Sequence, residues 1–158
     1  MMPYSAATIA FAFVKKGIEE GKAVTQMKLQ KMVYFAQGYH LAKYSLPLIE
    51  EEFEAWKYGP VIPSIYQLYK LYGSEPIIDT SLITDLAFLE RKLLSLDTKA
   101  IEAINYTWQV TKNLSASNLS AWTHKEGSPW YKAYTPALSS IKINNNNIKD
   151  YFSGVLTR

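Results

Sequence analysis

The chain has no cysteine and only two histidines among its 158 residues. Without thiols there is no disulfide, no thiolate nucleophile and no sulfur-ligated zinc, and nothing requires an oxidising compartment, so the expected location is cytoplasmic. His40 and His124 lie far apart, and neither belongs to an H-x-x-x-H or H-E-x-x-H spacing, so no metal site and no cofactor is expected. Arginine is scarce too. Of 17 basic residues only Arg91 and Arg158 are arginine, and the net charge is a mild +3. Nucleic-acid readers favour bidentate arginine, so direct nucleic-acid binding is not expected. No apolar run approaches the roughly 18 to 20 residues of a membrane span. The opening "MMPYSAATIAFAFVKKGIEEGK" has about the apolar length of a signal peptide. It lacks a basic start and a convincing cleavage site, and fits an amphipathic helix better. No Gly-rich phosphate loop occurs, and no nucleophile-elbow glycine pattern surrounds Ser120 or Ser128.

What remains is a globular composition, 48% hydrophobic and 20% charged, with an aromatic content of 14%. The length suits one domain over residues 1–158, without repeats or linkers. The expected fold class is mainly α: a single compact helical domain with a small antiparallel β element. Ser5 is a plausible N-cap for a helix over residues 6–16, stopped by Gly17. Thr25 opens a longer helix, in which Leu29, Met32, Val33, Ala36 and Tyr39 form one stripe while Lys28, Lys31 and Gln37 lie off it. Phe53 and Ala55 alternate with Glu52, Glu54 and Trp56 in a strand pattern that ends at Gly59-Pro60. Glu50 to Glu52 and Glu54 then make the solvated side of an edge strand. Pro63 starts another helix that Gly73 ends. Helical spacing of leucines fills residues 81–95, and Asp97 caps a helix to about residue 112. Ser117 or Ser115 caps a short helix ending at Gly127, and Ser128-Pro129 starts the next. "SSIKI" is a candidate second strand, and "NNNN" a turn leading into a last helix "IKDYFSG".

The rare polar chemistry gathers in "LSAWTHKEGSPW" at residues 119–130. His124 and Glu126, two apart, point to different faces of a helix and can pair only if the helix ends between them. The simpler assignment gives His124 and Thr123 to backbone groups at a helix end, with Trp122 and Trp130 packing beneath. Lys57 and Tyr58 offer a binding patch beside a strand end, although a strand-to-turn junction with a packed Trp56 explains them better.

Three segments go beyond composition. They are "MKLQKMVYFAQGYHLAKYSLPLIEEEFEAWKYGPVIPSIYQLYKLYG" at 27–73, "LSAWTHKEGSPW" at 119–130 and "IKDYF" at 148–152. In this order they resemble the SocA-like antitoxin family, or Panacea antitoxin domain, known from phage- and mobile-element-associated proteins. The likeness covers residues 5–152. It implies a mainly helical domain with a small β element that acts as the antitoxin of a toxin–antitoxin pair. Its partner would be a cognate protein toxin encoded beside it and neutralised by direct contact. One member of the family acts instead as an adaptor delivering its toxin to a ClpXP-type AAA+ protease, and an enzyme reversing the toxin's modification is a third possibility. Longer members carry an added DNA-binding or other region, for which this chain has no room. The family brings no catalytic residues, so the expectation is a non-enzymatic protein. Its motif residues map to Lys28, Leu29, Lys31, Tyr34 and Phe35; to Trp56, Lys57, Tyr58, Gly59 and Pro60; and to His124, Glu126, Pro129 and Trp130. A domain accepting diverse toxins should keep its scaffold and vary its contact surface, so these residues are expected to specify the fold more than to touch the toxin.

Overall fold

Thr25 keeps an extended backbone and its hydroxyl accepts from the Lys28 amide, which turns the chain into α2 (Gln26–Tyr44). The computed structural model describes residues 3–138 and 140–156. In it α2 is the central rod. Around it pack α1 (Ala6–Glu19), the hairpin of β1 (Glu54–Trp56) and β2 (Gly59–Val61), and α3 (Pro63–Tyr69) with its 3₁₀ extension Lys70–Tyr72. The shell is completed by α4 (Leu86–Leu93), α5 (Thr98–Thr111), α6 (Ala116–Thr123), α7 (Pro129–Ala133) and α8 (Asn145–Leu156). The fold is mainly α with one small antiparallel sheet. The largest fully buried side chains include Trp108, Tyr34, Tyr69, Phe11, Phe13, Phe53 and Phe152. No helix among the described residues is long and apolar enough to cross a membrane.

Being surrounded changes what α2 can bury. Lys31 and Gln37, expected outside the apolar stripe, are 3% and 0% exposed. Their burial is possible because long-range backbone groups meet them: Gln37 Oε1 accepts from the amides of Leu48 (2.7 Å) and Ile49 (3.1 Å). Gly38 lets α8 lie against α2, since a Cβ there would run into the Phe152 ring.

The capping serines, threonine and aspartate stand where expected: Ser5, Thr25, Asp97, Ser115 and Ser128 each accept a backbone amide in the first turn of their helix. Gly17 does not stop α1, which continues to Glu19. It is needed for close approach instead, because a Cβ would sit 2.8 Å from the Lys22 carbonyl as the chain folds back. Residues 81–85 are not helical; only Leu86–Leu93 forms α4, with Asp85 before it at φ 57°. The leucine stripe finds a buried face only within α4, where Leu89 is buried and Leu86 and Leu93 pack on the core, while Leu82 before it is exposed.

The β element also departs from expectation. Gly59 and Pro60 do not end the strand; after a two-residue turn at Lys57 and Tyr58 they form β2, paired Ala55↔Pro60 and Trp56↔Gly59. The turn residues keep negative φ while Gly59 takes φ 120°. "SSIKI" forms only an isolated bridge, Glu54↔Lys142, with the Ala55 amide bonded to the Ile141 carbonyl; Ser139 lies outside the described residues. β1 is therefore flanked on both sides, and Glu51 and Glu54 are not simply solvated. Glu51 accepts from the Ala6 amide at the start of α1, and Glu54 from the Trp56 indole. The asparagine run caps and opens α8, with Asn144 Oδ1 accepting from the Asn146 amide and residues 145–147 already helical.

Candidate functional site

The hairpin reaches α2 and α6 through backbone carbonyls. Trp130, at the second position of α7, donates its indole N–H to the Trp56 carbonyl at 2.6 Å. Ser120 on α6 donates its hydroxyl to the Tyr58 carbonyl at 3.0 Å. From α2, Lys31 Nζ lies 3.5 Å from the Pro60 carbonyl. Gly59 sits at the centre: a Cβ there would stand 2.7 Å from Lys31 Cε and 3.1 Å from Thr123 Oγ1. Only glycine accommodates both the positive φ and these neighbours.

His124 completes this cluster at the C-cap of α6, its amide bonded to the Ser120 and Ala121 carbonyls. Its ring meets the Trp130 ring edge-on with centroids 3.9 Å apart. Nδ1 lies 3.5 Å from Ser120 Oγ, and Nε2 is buried with no hydrogen-bond partner among the described residues. Burial, then the positive charge of Lys31, push its pKa below the ordinary histidine value, with the Lys57 and Ser120 backbone opposing. Lys31 is itself pushed down to about 8 by burial. The ammonium can donate three hydrogen bonds and has only the long contact to Pro60, with no ion-pair partner among the described residues.

A Ser–His pair thus exists, but its hydroxyl proton is committed to a backbone carbonyl and, among the described residues, no carboxylate orients the imidazole. Glu126 is exposed beyond the end of α6, and among the described residues no hydrogen bond joins it to His124. What the arrangement does is hold a two-residue turn rigidly against three helices.

Beside it opens a cleft of about 700 Å³ between the first turn of α2, the hairpin and α3. Lys31, Lys57 and Lys70 border it together with Met27, Trp56, Tyr58 and Tyr66, and among the described residues no carboxylate does. Trp56 and Tyr66 pack ring to ring at 5.6 Å, and the Lys57 ammonium lies 5.5 Å from the centre of the Tyr58 ring. Tyr58 is 60% exposed.

The motif residues therefore divide. Lys31, Trp56, Lys57, Tyr58, Gly59, Pro60, His124 and Trp130 come together around the hairpin, and Pro129 starts α7 directly behind it. Lys28 donates to the Lys112 carbonyl at the end of α5, Leu29 and Tyr34 are core residues, and Phe35 packs on Tyr106, Trp122 and Phe152. Glu126 joins neither group.

The family model of the SocA-like antitoxin, Panacea domain, matches residues 29–131. The chain belongs to this family. Antitoxin SocA of Caulobacter vibrioides (strain NA1000 / CB15N) is 33% identical over 135 residues, covering 82% of this chain and 72% of that protein. No solved structure matches. The Panacea match takes in the entire hairpin cluster, from Lys31 to Trp130, and leaves α1 and α8 outside.

Other residues that build the site carry no obvious motif. Gln30 grips both backbone groups of Ile62 at the start of α3, donating to the carbonyl at 3.2 Å and accepting from the amide at 2.9 Å. Gln30 and Gln37 are seven residues apart and so share a helix face; a repeated buried amide at that spacing is the signal that marks them as backbone clamps. Thr123 donates to the Ser120 carbonyl at the end of α6, as its place in the motif suggests, whereas Tyr66 becomes visible only when the hairpin is folded.

Proposed function

We propose that the chain is the antitoxin of a toxin–antitoxin pair, neutralising a cognate protein toxin encoded beside it by direct contact in the cytoplasm. Membership of the SocA-like family, over a stretch that folds into the hairpin cluster and its cleft, is the observation that carries this reading. A binding role without catalysis also accords with the chemistry of the cluster, where Ser120 is spent on the Tyr58 carbonyl and Glu126 stands apart from His124. On this reading most of the shared motif residues hold the hairpin, and the toxin is read by the side chains left available on the same surface.

Co-expression tests it. The polypeptide of the adjacent reading frame is expected to arrest growth alone, to be harmless with this chain present, and to co-purify with it at fixed stoichiometry. Rescue that persists in cells lacking a ClpXP-type protease supports occlusion, and rescue lost there while binding persists supports delivery to the protease. Protection by sharply substoichiometric amounts of this chain would point to an enzyme and contradict the proposal.

A further inference from the structure

We infer that the cleft between the first turn of α2, the hairpin and α3 is the toxin-docking site, and that it receives an acidic peptide segment with an apolar or aromatic anchor. The inference rests on the antitoxin reading above. Charge complementarity selects the occupant. Three lysines border the cleft and, among the described residues, no carboxylate does. Of the carboxylates on the approach to and within the hairpin, Glu51 is held by Ala6 and Ser64 and Glu54 by the Trp56 indole, while Glu50 and Glu52 are exposed and do not line the cleft. Lys31 is 3% exposed yet borders the cleft, with donor capacity left over after its single long contact to Pro60. A buried ammonium without a carboxylate is an incomplete pair, and a carboxylate supplied from outside completes it.

The rest of the lining suits a peptide. Gln26 Oε1 is buried without a partner among the described residues, an acceptor available to a peptide N–H. Met27, Tyr58 and Tyr66 are exposed around the opening and give an apolar anchor a place to bury. A volume of about 700 Å³ is that of a ligand-sized cleft and holds a few side chains rather than a whole domain face. Lysines present point charges and suit an isolated carboxylate; among the described residues no arginine borders the cleft to offer planar bidentate recognition.

The test is isothermal titration calorimetry of the full chain with the purified polypeptide of the adjacent reading frame, in 50 and 300 mM NaCl, with the oligonucleotide rU12 as a second probe. Lys57 and Lys70 are exposed, so the double charge reversal K57E/K70E leaves the core intact. It is expected to weaken polypeptide binding at least 30-fold. Lys31→Met is expected to weaken it at least tenfold without loss of thermal stability, and K92E on α4 to change it less than threefold. Wild-type affinity should fall at the higher salt. Reversing one acidic residue of the polypeptide to lysine should restore binding to the K57E/K70E chain. Undiminished affinity in both cleft variants, with neutralisation intact, would overturn the cleft assignment and leave the antitoxin reading standing. Tight rU12 binding abolished by K57E/K70E, with polypeptide binding unchanged, would make the cleft a phosphate site and also overturn it. If wild type neither binds nor neutralises the polypeptide, the antitoxin reading fails and the inference falls with it.

Discussion

Toward α5, α6 and α8, α2 presents rings: Phe35 against Tyr106, Trp122 and Phe152, Tyr39 stacked on Tyr106, Tyr34 edge-on to Phe152. Toward the hairpin and α3 the same helix presents Gln30 and Lys31, one satisfied by two backbone groups and the other left with a single 3.5 Å contact. Burial of the rings stabilises in proportion to area and demands shape. Burial of the amide is neutral only while both its partners stay in place, and burial of the ammonium opposes folding. One helix thus divides its labour: an aromatic side holds the fold, and a polar side holds a surface in a defined form at some cost in stability.

The largest effect is expected where the aromatic side is cut. Phe152→Ala should lower unfolding free energy by about 3–5 kcal/mol in urea titration, since a fully buried ring in contact with Tyr34, Phe35 and Trp122 is lost. Folded molecules should retain the hairpin, so binding per folded molecule should hold. Gln30→Ala should cost less, about 2 kcal/mol, by stranding the amide of buried Ile62, whose carbonyl keeps the Ile65 and Tyr66 amides. It should also speed hydrogen exchange at the start of α3 while leaving α8 protected. Ser128→Ala, which removes the N-cap of α7 behind the hairpin, should cost about 1 kcal/mol. The smallest effect is a pH slope. His124 is held below the usual histidine value, so the unfolded chain takes up its proton first as pH falls through about 6.5. Stability attributable to this residue is present above that pH and declines below it, and a His124→Gln chain should lack that part of the slope.

Much of this architecture could be read from local chemistry. Each cap named in advance works because its partner amide lies two or three residues away, a distance at which side-chain type decides the outcome. Burial of Lys31 and Gln37 was not legible, because the carbonyl of Pro60 and the amides of Leu48 and Ile49 that receive them arrive from another part of the chain. The hairpin was half legible. Alternation at Phe53 and Ala55 places β1, but Gly59-Pro60, which normally punctuates a strand, here opens the second strand of the hairpin because Gly59 tolerates φ 120° beneath Lys31. The leucines of residues 81–95 misled for the opposite reason, as helical spacing without a partner face does not produce a helix of that length. For the site, the blocks around Trp56 and His124 were visible as motifs, while the cleft beside them depends on Met27, Tyr66 and Lys70, each unremarkable alone.

The central claim is that Lys31 is kept buried and unpaired against the interest of stability, and it is tested most directly by urea unfolding of wild type and Lys31→Met from pH 7 to 10. Lys31 titrates near 8 in the folded protein and near 10.5 unfolded, so below pH 8 both states are protonated and the full cost is present. Between pH 8 and 10 the unfolded chain binds more protons, and wild-type stability should rise toward that of the variant. Tyr34 and Tyr69, raised by burial in both chains, act only above about pH 10. The account predicts a variant more stable at pH 7 by about 3 kcal/mol, with the gap closing toward pH 10. A variant less stable than wild type at pH 7, with a gap that does not change with pH, would show that Lys31 serves the fold and would contradict it.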